Sequence, residues 1–269
     1  MRKEEILNLS YTDFVGFINQ WNVLPGAHVT LSKWITFSHL NSDSNILELA
    51  CTSGFSSREI AFMTGCTGVG IDISAMSVEA AILNKKIYAP DINISYEAAD
   101  GHTYEPEKRF SHVVVGAALK FFGNQKEVTG RVVSRYLKDG GFLLASPFFA
   151  VKEVPQEVID KAREIFGITI TTESYKDAMK AYSDFEIIYE DKCDLVEETE
   201  EELHNYCTAT ITRATNFHGI IDDEIKEVMY SRLMNIRKMT NVLRSYQNYT
   251  VLVLRYRKNV YPNRYIELF

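Results

Sequence analysis

Between residues 45 and 146, short and nearly all-apolar runs alternate with longer stretches of helical spacing, which leaves the chain few architectures. The runs are residues 45–51, 68–72, 92–96, 112–116 and 141–146. A run that is apolar on both faces must be covered on both, so these read as strands of a parallel sheet. The intervening residues 57–65, 75–88 and 125–137 repeat apolar side chains at helical spacing and read as crossover helices. Asp139-Gly140-Gly141 is expected to close the last of them, because glycine accepts the left-handed conformation that a helix end commonly needs.

The flanks extend the pattern. Residues 11–21 and 31–40 read as two helices broken by Leu24-Pro25-Gly26. Residues 156–166 and 175–181 read as helices, 185–190 as a strand, 197–244 as helices and 249–256 as a last strand. The expectation is a doubly wound, mostly parallel α/β sheet of seven strands, with helices on both faces and the last strand antiparallel. The chain is read as one domain: an N-terminal helical flap (1–44), a core (45–190), a helical insertion or lid (191–247), and a last strand with a tail (248–269). The insertion is too long for a simple connection, and long insertions in compact domains tend to form lids or binding elements.

Composition narrows the function. Apolar residues make up 46% and charged residues 24% of the chain, ordinary values for a globular protein. A formal net charge of −7 works against binding a nucleic-acid backbone, where lysine and arginine supply most of the affinity. The N-terminus has no apolar secretory region, and no stretch approaches the roughly 18 apolar residues that span a bilayer. Cys51, Cys66, Cys193 and Cys207 are far apart and form no C-x-x-C pair. They read as reduced thiols of a cytoplasmic protein, without a disulfide framework or a metal site.

Residues 46–57 carry the most chemistry. A buried strand ends in small residues and turns directly into a helix, which brings backbone amides and a helix N-terminus to the carboxyl end of the sheet. Asp72 ends the next strand, where a carboxylate can accept both hydroxyl hydrogens of a ribose. Dinucleotide sites place glycines where the backbone meets the pyrophosphate; here those positions are Ala50 and Thr52, and Gly54 remains. A carboxylate at Glu48 suits a diphosphate poorly. It suits S-adenosylmethionine, which has no phosphate and ends in an ammonium and a carboxylate.

Residues 46–57 resemble the first motif of class I S-adenosylmethionine-dependent methyltransferases of the Rossmann-like, small-molecule type, and Val69–Ser74 resembles their second-strand motif. Asp100-Gly101, the fourth strand with its following loop at 110–122, and residues 136–141 resemble three further motifs in the same order. The resemblance implies that Glu48, Ala50, Cys51, Thr52 and Gly54 surround the methionine moiety. It implies that Asp72 holds the ribose, that Ile73 packs on the adenine, and that Asp100 and Gly101 face the adenine amino group. Gly116, Ala117 and Phe121 would line the pocket near the sulfonium, and Tyr11 would cover the cofactor from the N-terminal helix. Family members usually carry glycine at the places of Ala50 and Thr52, and often an acidic residue at Ser111. A β-branched Thr52 would be strained at positive φ, so either the turn has an ordinary dihedral there or the cofactor is bound differently.

Other residues admit two readings. Cys51 is either a nucleophile or a small buried side chain, and no partner histidine favours the first. His102 is the histidine best placed for catalysis at the mouth of the site; Tyr11, His204 and His218 are further candidates for a base. Tyr11, Phe14, Phe17 and Trp21 recur at helical spacing, as a face packed on the core or as a flap. The acidic run at 197–202 reads as a helix start, favoured by the helix dipole. The expected partner is a small-molecule acceptor bound by a monomer or homodimer. Methylation of RNA or protein, cofactor binding without turnover, and nicotinamide chemistry are the alternatives.

Overall fold

The computed structural model describes residues 2–258; Met1 and the expected tail at 259–269 lie outside the described residues. From the N-terminus, α1 (Lys3–Asn8), α2 (Tyr11–Phe17) and α3 (Ala27–Ser38) precede β1 (Asn45–Leu49), α4 (Phe55–Thr64), β2 (Thr67–Asp72), α5 (Ala75–Tyr88), β3 (Ile94–Ala98) and β4 (Phe110–Gly116). There follow α6 (Gln125–Arg131), β5 (Leu137–Ala145), β6 (Phe148–Ala150), α7 (Gln156–Phe166), α8 (Tyr175–Met179), β7 (Glu186–Cys193), α9 (Glu200–His218), α10 (Asp223–Arg244) and β8 (Gln247–Arg255).

The first five strands lie parallel in the order β3-β2-β1-β4-β5. The last strand, β8, runs antiparallel between β5 and β7. The three-residue β6 pairs with the start of β8 on the edge that β5 occupies further along, so eight strands fill the seven expected places.

Strand alternation sorts the core into two layers. Ile46, Val114, Leu144, Val251 and Val253 pack with Trp34 of α3, Phe55 and Ile60 of α4, and Val78 and Ala81 of α5. On the other face Leu47, Val113, Leu143, Leu252 and Leu254 meet Val128, Val132, Tyr136 and Tyr182. Burying each large side chain stabilises the fold by ~1.5–3 kcal/mol. A third cluster contains no residue of the parallel strands: it joins Ile6, Phe14 and Phe17 to Phe166 of α7, Cys207 and Ile211 of α9, and Leu233 and Ile236 of α10. The helical insertion and the first two helices thus share one core, while α3 belongs to the sheet.

Three local expectations need correction. The helix from Gln125 ends at Arg131 and continues to Tyr136 as a wider turn. Asp139-Gly140-Gly141 does not cap it. These residues bulge within β5, where Leu137 pairs with Phe110 but Phe142 pairs with His112, and Gly140 has φ of +77°. Such an insertion leaves residues unpaired and often places one in the left-handed region, which glycine enters without strain. Two elements, α1 and β6, were not anticipated. Arg232 of α10 holds α1 by donating to the carbonyls of Ile6 and, at 2.6 Å, Leu9.

The acidic run does start a helix: Thr199 and Glu202 form a capping box at the head of α9. No described helix is long and apolar enough to cross a membrane. Leu252 is fully buried between β5 and β7, so Leu252→Ala is expected to lower stability by about 2–5 kcal/mol. Urea unfolding of parent and variant measures that loss, and a change below the range would show that the site collapses around the gap.

Candidate active site

The turn from β1 into α4 is left-handed at three places: Ala50 (φ +55°), Thr52 (+47°) and Gly54 (+75°). Ala50 and Thr52 therefore adopt the conformation that glycine would supply at those positions, and the ordinary-dihedral alternative for Thr52 is excluded. Each such non-glycine residue costs ~1–2 kcal/mol, and polar contacts hold the turn in place. The Thr52 amide donates to Asp72 Oδ2 at 2.9 Å. The Ser53 hydroxyl donates to the Gln20 carbonyl (2.6 Å), and the Ser53 carbonyl accepts from the Asn84 side chain (3.0 Å). From β3, the Tyr96 hydroxyl donates to the Gly54 carbonyl at 3.1 Å.

Glu48 faces the start of the helix that follows the turn. Alternation along β1 puts it on the face of Ile46, and its carboxyl is buried beneath the start of α4. There Glu48 Oε2 accepts the Ser57 amide at 3.0 Å. Gly54, at the N-cap position, has no side chain with which to cap, so Glu48 does so from the strand. Burial pushes its pKa up to about 7, against the hydrogen bonds from Ser57 and Ser56 and the nearby Arg58 charge. The amides of the first helical turn are thus partly taken by the protein's own carboxyl group.

Asp72 ends β2 and is 5% exposed. Its Oδ1 accepts the Ser74 amide at 2.9 Å, while Ser74 Oγ donates to Asp13 of α2 at 2.7 Å. Burial raises the Asp72 pKa, and the Ser74 and Thr52 amides oppose that shift. A carboxylate has about four lone-pair sites, so two amides leave acceptor capacity. Beside it Ile73 is 71% exposed, a large apolar side chain left open at the strand end. Asp100 follows β3; its Oδ1 meets both the backbone amide and Nδ1 of His102 at 2.8 Å. These bonds hold the Asp100 carboxyl below the usual carboxylate range.

The other candidates fall into three groups. Gly101 lies against the Phe122 ring, Ala117 heads the short turn at Ala118–Phe122, and Phe121 is half exposed on it. Gly116 is left-handed at the end of β4, with Leu24 close by. Cys51 is buried, its thiol pushed well up by burial and then by the charges of Glu48 and Asp72, which is the small-core-residue reading.

His102 has an acceptor at each ring nitrogen, Asp100 on one side and the Phe122 carbonyl (3.0 Å) on the other. Both ring nitrogens are thus held by the protein's own groups. His204 is bonded to the Tyr230 hydroxyl and His218 to the Phe17 carbonyl, both at 2.7 Å. Tyr11 packs edge-on against Phe166 (5.6 Å), and burial pushes its phenol up to about 12, with Tyr206 the next cause. No group of three or more potential metal ligands occurs among the described residues.

Sequence reasoning missed Asp13, Ser53, Ser74, Asn84 and Tyr96. Ser74 alone had a local signal, as a serine directly before a helix. The rest act across distant parts of the chain, which periodicity does not report.

Residues 40–224 match the family model of a methyltransferase domain. An uncharacterized protein of Haemophilus influenzae is 21% identical over 174 residues, 64% of this chain and 67% of that protein. The crystal structure of the MccD protein is 26% identical, covers 88% of this chain and 100% of that one, and superposes with a TM-score of 0.69. A SAM-dependent methyltransferase from Geobacter sulfurreducens, solved with S-adenosyl-L-homocysteine, is 18% identical over 91% of this chain and 97% of its own (TM-score 0.68).

Two predictions follow from the turn. Thr52→Gly removes the left-handed cost and adds glycine's own entropic cost, for a net stabilisation of about 0.5–1 kcal/mol in urea unfolding; a loss instead would mean the threonine side chain supports the turn. Glu48 ionises near 4.5 when unfolded and near 7 in the fold. The fold therefore holds a proton that the unfolded chain has lost between those values. The stabilisation is complete below pH 4.5 and is lost as pH rises through 7, roughly 3 kcal/mol in all. Glu48→Gln should abolish that slope, so that the stability difference between parent and variant changes with pH only in this window.

Proposed function

The chain belongs to the methyltransferase-domain family, and from that premise we propose that it binds S-adenosylmethionine and methylates a small-molecule acceptor. The observation that carries the choice of cofactor is the capping of α4 by Glu48. In a dinucleotide site the amides at this helix start receive the pyrophosphate. Here Glu48 takes the Ser57 amide, and the buried carboxyl stands where a diphosphate would bring further negative charge. A phosphate-free zwitterion meets no such conflict. The fit extends along β2 and β3: Asp72 retains acceptor sites for ribose hydroxyls, Ile73 offers an open apolar surface for adenine, and Asp100-Gly101 follows the neighbouring strand. Thr52 keeps the glycine-like conformation, so the turn retains the shape that a glycine there would give.

When bound, the cofactor supplies an electrophilic methyl group on a sulfonium. The chain's own residues position and desolvate. Ala117 and Phe121 sit on the loop after β4, where an acceptor approaches the end of the sheet, and α2, α7, α9 and α10 form a separate helical layer. With His102 bonded at both ring nitrogens and the Tyr11 phenol held protonated, orientation and exclusion of water carry the rate. Such a site suits an acceptor that arrives already nucleophilic, such as an amine. His102 is then a positioning residue that fixes Asp100 against the Phe122 loop. The net charge of −7 weighs against RNA as acceptor.

Calorimetry with S-adenosylmethionine, S-adenosylhomocysteine and NAD is the direct test. Binding of the first two without NAD is expected, and no heat with either would overturn the reading. Asp72→Ala should weaken S-adenosylhomocysteine at least tenfold, about 1.4 kcal/mol, and unchanged affinity would show that the ribose lies elsewhere.

A further inference from the structure

We infer that the acceptor carries an oxyanion, a carboxylate or a phosphate, held by Arg213 of α9 and Arg237 of α10. The word acceptor rests on the methyl-transfer reading above; the anion site stands on its own geometry. Both arginines have an Nε–H shut off from solvent with no hydrogen-bond partner among the described residues. Their remaining contacts are fixed. Arg213 Nη2 donates to the Asn19 carbonyl at 2.8 Å, with its guanidinium 5.8 Å from the Trp21 ring. Arg237 lies 4.3 Å over the Tyr206 ring and pairs with Glu198, which also binds Arg244 at 3.1 Å.

Glu198 is shared between Arg237 and Arg244, so neither guanidinium has a carboxylate of its own there. An unmet donor on a buried cation is costly, and guanidinium N–H groups are matched by the paired oxygens of a carboxylate or phosphate.

The position fits an acceptor. Both arginines act on the Tyr206 phenol, and Arg237 also acts on Tyr11, which heads the helix whose Asp13 bonds Ser74 beside Asp72. Arg213 reaches the β1–α4 turn through Asn19, whose side chain exchanges hydrogen bonds with Asn84, the residue that donates to the Ser53 carbonyl. The arginines therefore belong to the helical side of the site, and Arg213 is linked through Asn19 and Asn84 to the turn that takes the cofactor.

Arginine Nε–H resonances of the full-length protein report the site directly. Sodium phosphate and sodium acetate are titrated separately against sodium chloride of equal ionic strength, with Arg213→Lys and Arg237→Lys providing the assignments. The expected result is a saturable shift of both resonances with one of the two anions and none with chloride, and the responding anion identifies the head group. Each lysine variant should weaken that anion at least tenfold, since lysine keeps the charge but lacks the Nε–H. If Arg237→Lys does not fold, the parent titration assigned through Arg213→Lys decides. Resonances that neither anion moves beyond the chloride control overturn the inference. S-adenosylhomocysteine binding is measured on the same samples; its failure would sink the methyl-transfer reading, while the anion titration stands or falls independently.

Discussion

Two non-glycine residues held left-handed within a five-residue turn cost ~2–4 kcal/mol together, and the site depends on the contacts that maintain them. The Asp72 carboxylate takes the Thr52 amide from one side, and Tyr96, Asn84 and Gln20 bind Ser53 and Gly54 from the others. These partners come from β2, β3, α5 and the segment after α2. The turn is thus shaped by the assembled sheet, because its own residues favour other conformations. Strain of this kind persists where surrounding structure over-determines it, and it is concentrated at functional sites.

Glu48 shows how one buried carboxyl serves both fold and chemistry. It completes the start of α4, which its glycine N-cap leaves uncapped, and it makes that helix start a poor home for a second anion. Its burial raises its pKa toward neutrality, so the cap exchanges between a charged acceptor and a neutral one near physiological pH.

The strands were legible because β1, β2 and β4 are buried on both faces, which writes them as continuous apolar runs. Asp139-Gly140-Gly141 misled because a left-handed glycine serves a helix end and a strand bulge equally well, and only the register with β4 tells them apart. The three residues of β6 are too few to show a period. In the site, Asp72, Asp100 and the turn could be located because each follows a recognisable strand. Parity with Ile46 assigns Glu48 to one face of β1, but because both faces are covered it does not tell that the carboxyl meets the start of α4. Arg213 could be placed in the helical insertion from the sequence, but nothing local marks a guanidinium whose Nε–H will be buried without a partner.

The second helix explains how the two halves of the molecule are coupled. Its apolar side, Phe14 and Phe17, lies in the core shared with α7, α9 and α10. Its other side meets α5 through polar contacts, Asp13 to Ser74 at 2.7 Å and the Thr12 carbonyl to Ser77 at 3.4 Å. The helices can approach this closely because residue 16 is glycine: a Cβ there would come within 2.4 Å of the Ser77 amide. Each such hydrogen bond contributes only ~0.5–1.5 kcal/mol net, whereas each buried phenylalanine contributes ~1.5–3 kcal/mol. The weaker attachment is therefore on the sheet side, directly over Asp72. Mechanically α2 belongs to the helical layer, and its polar attachment to the head of α5 lies beside the end of β2.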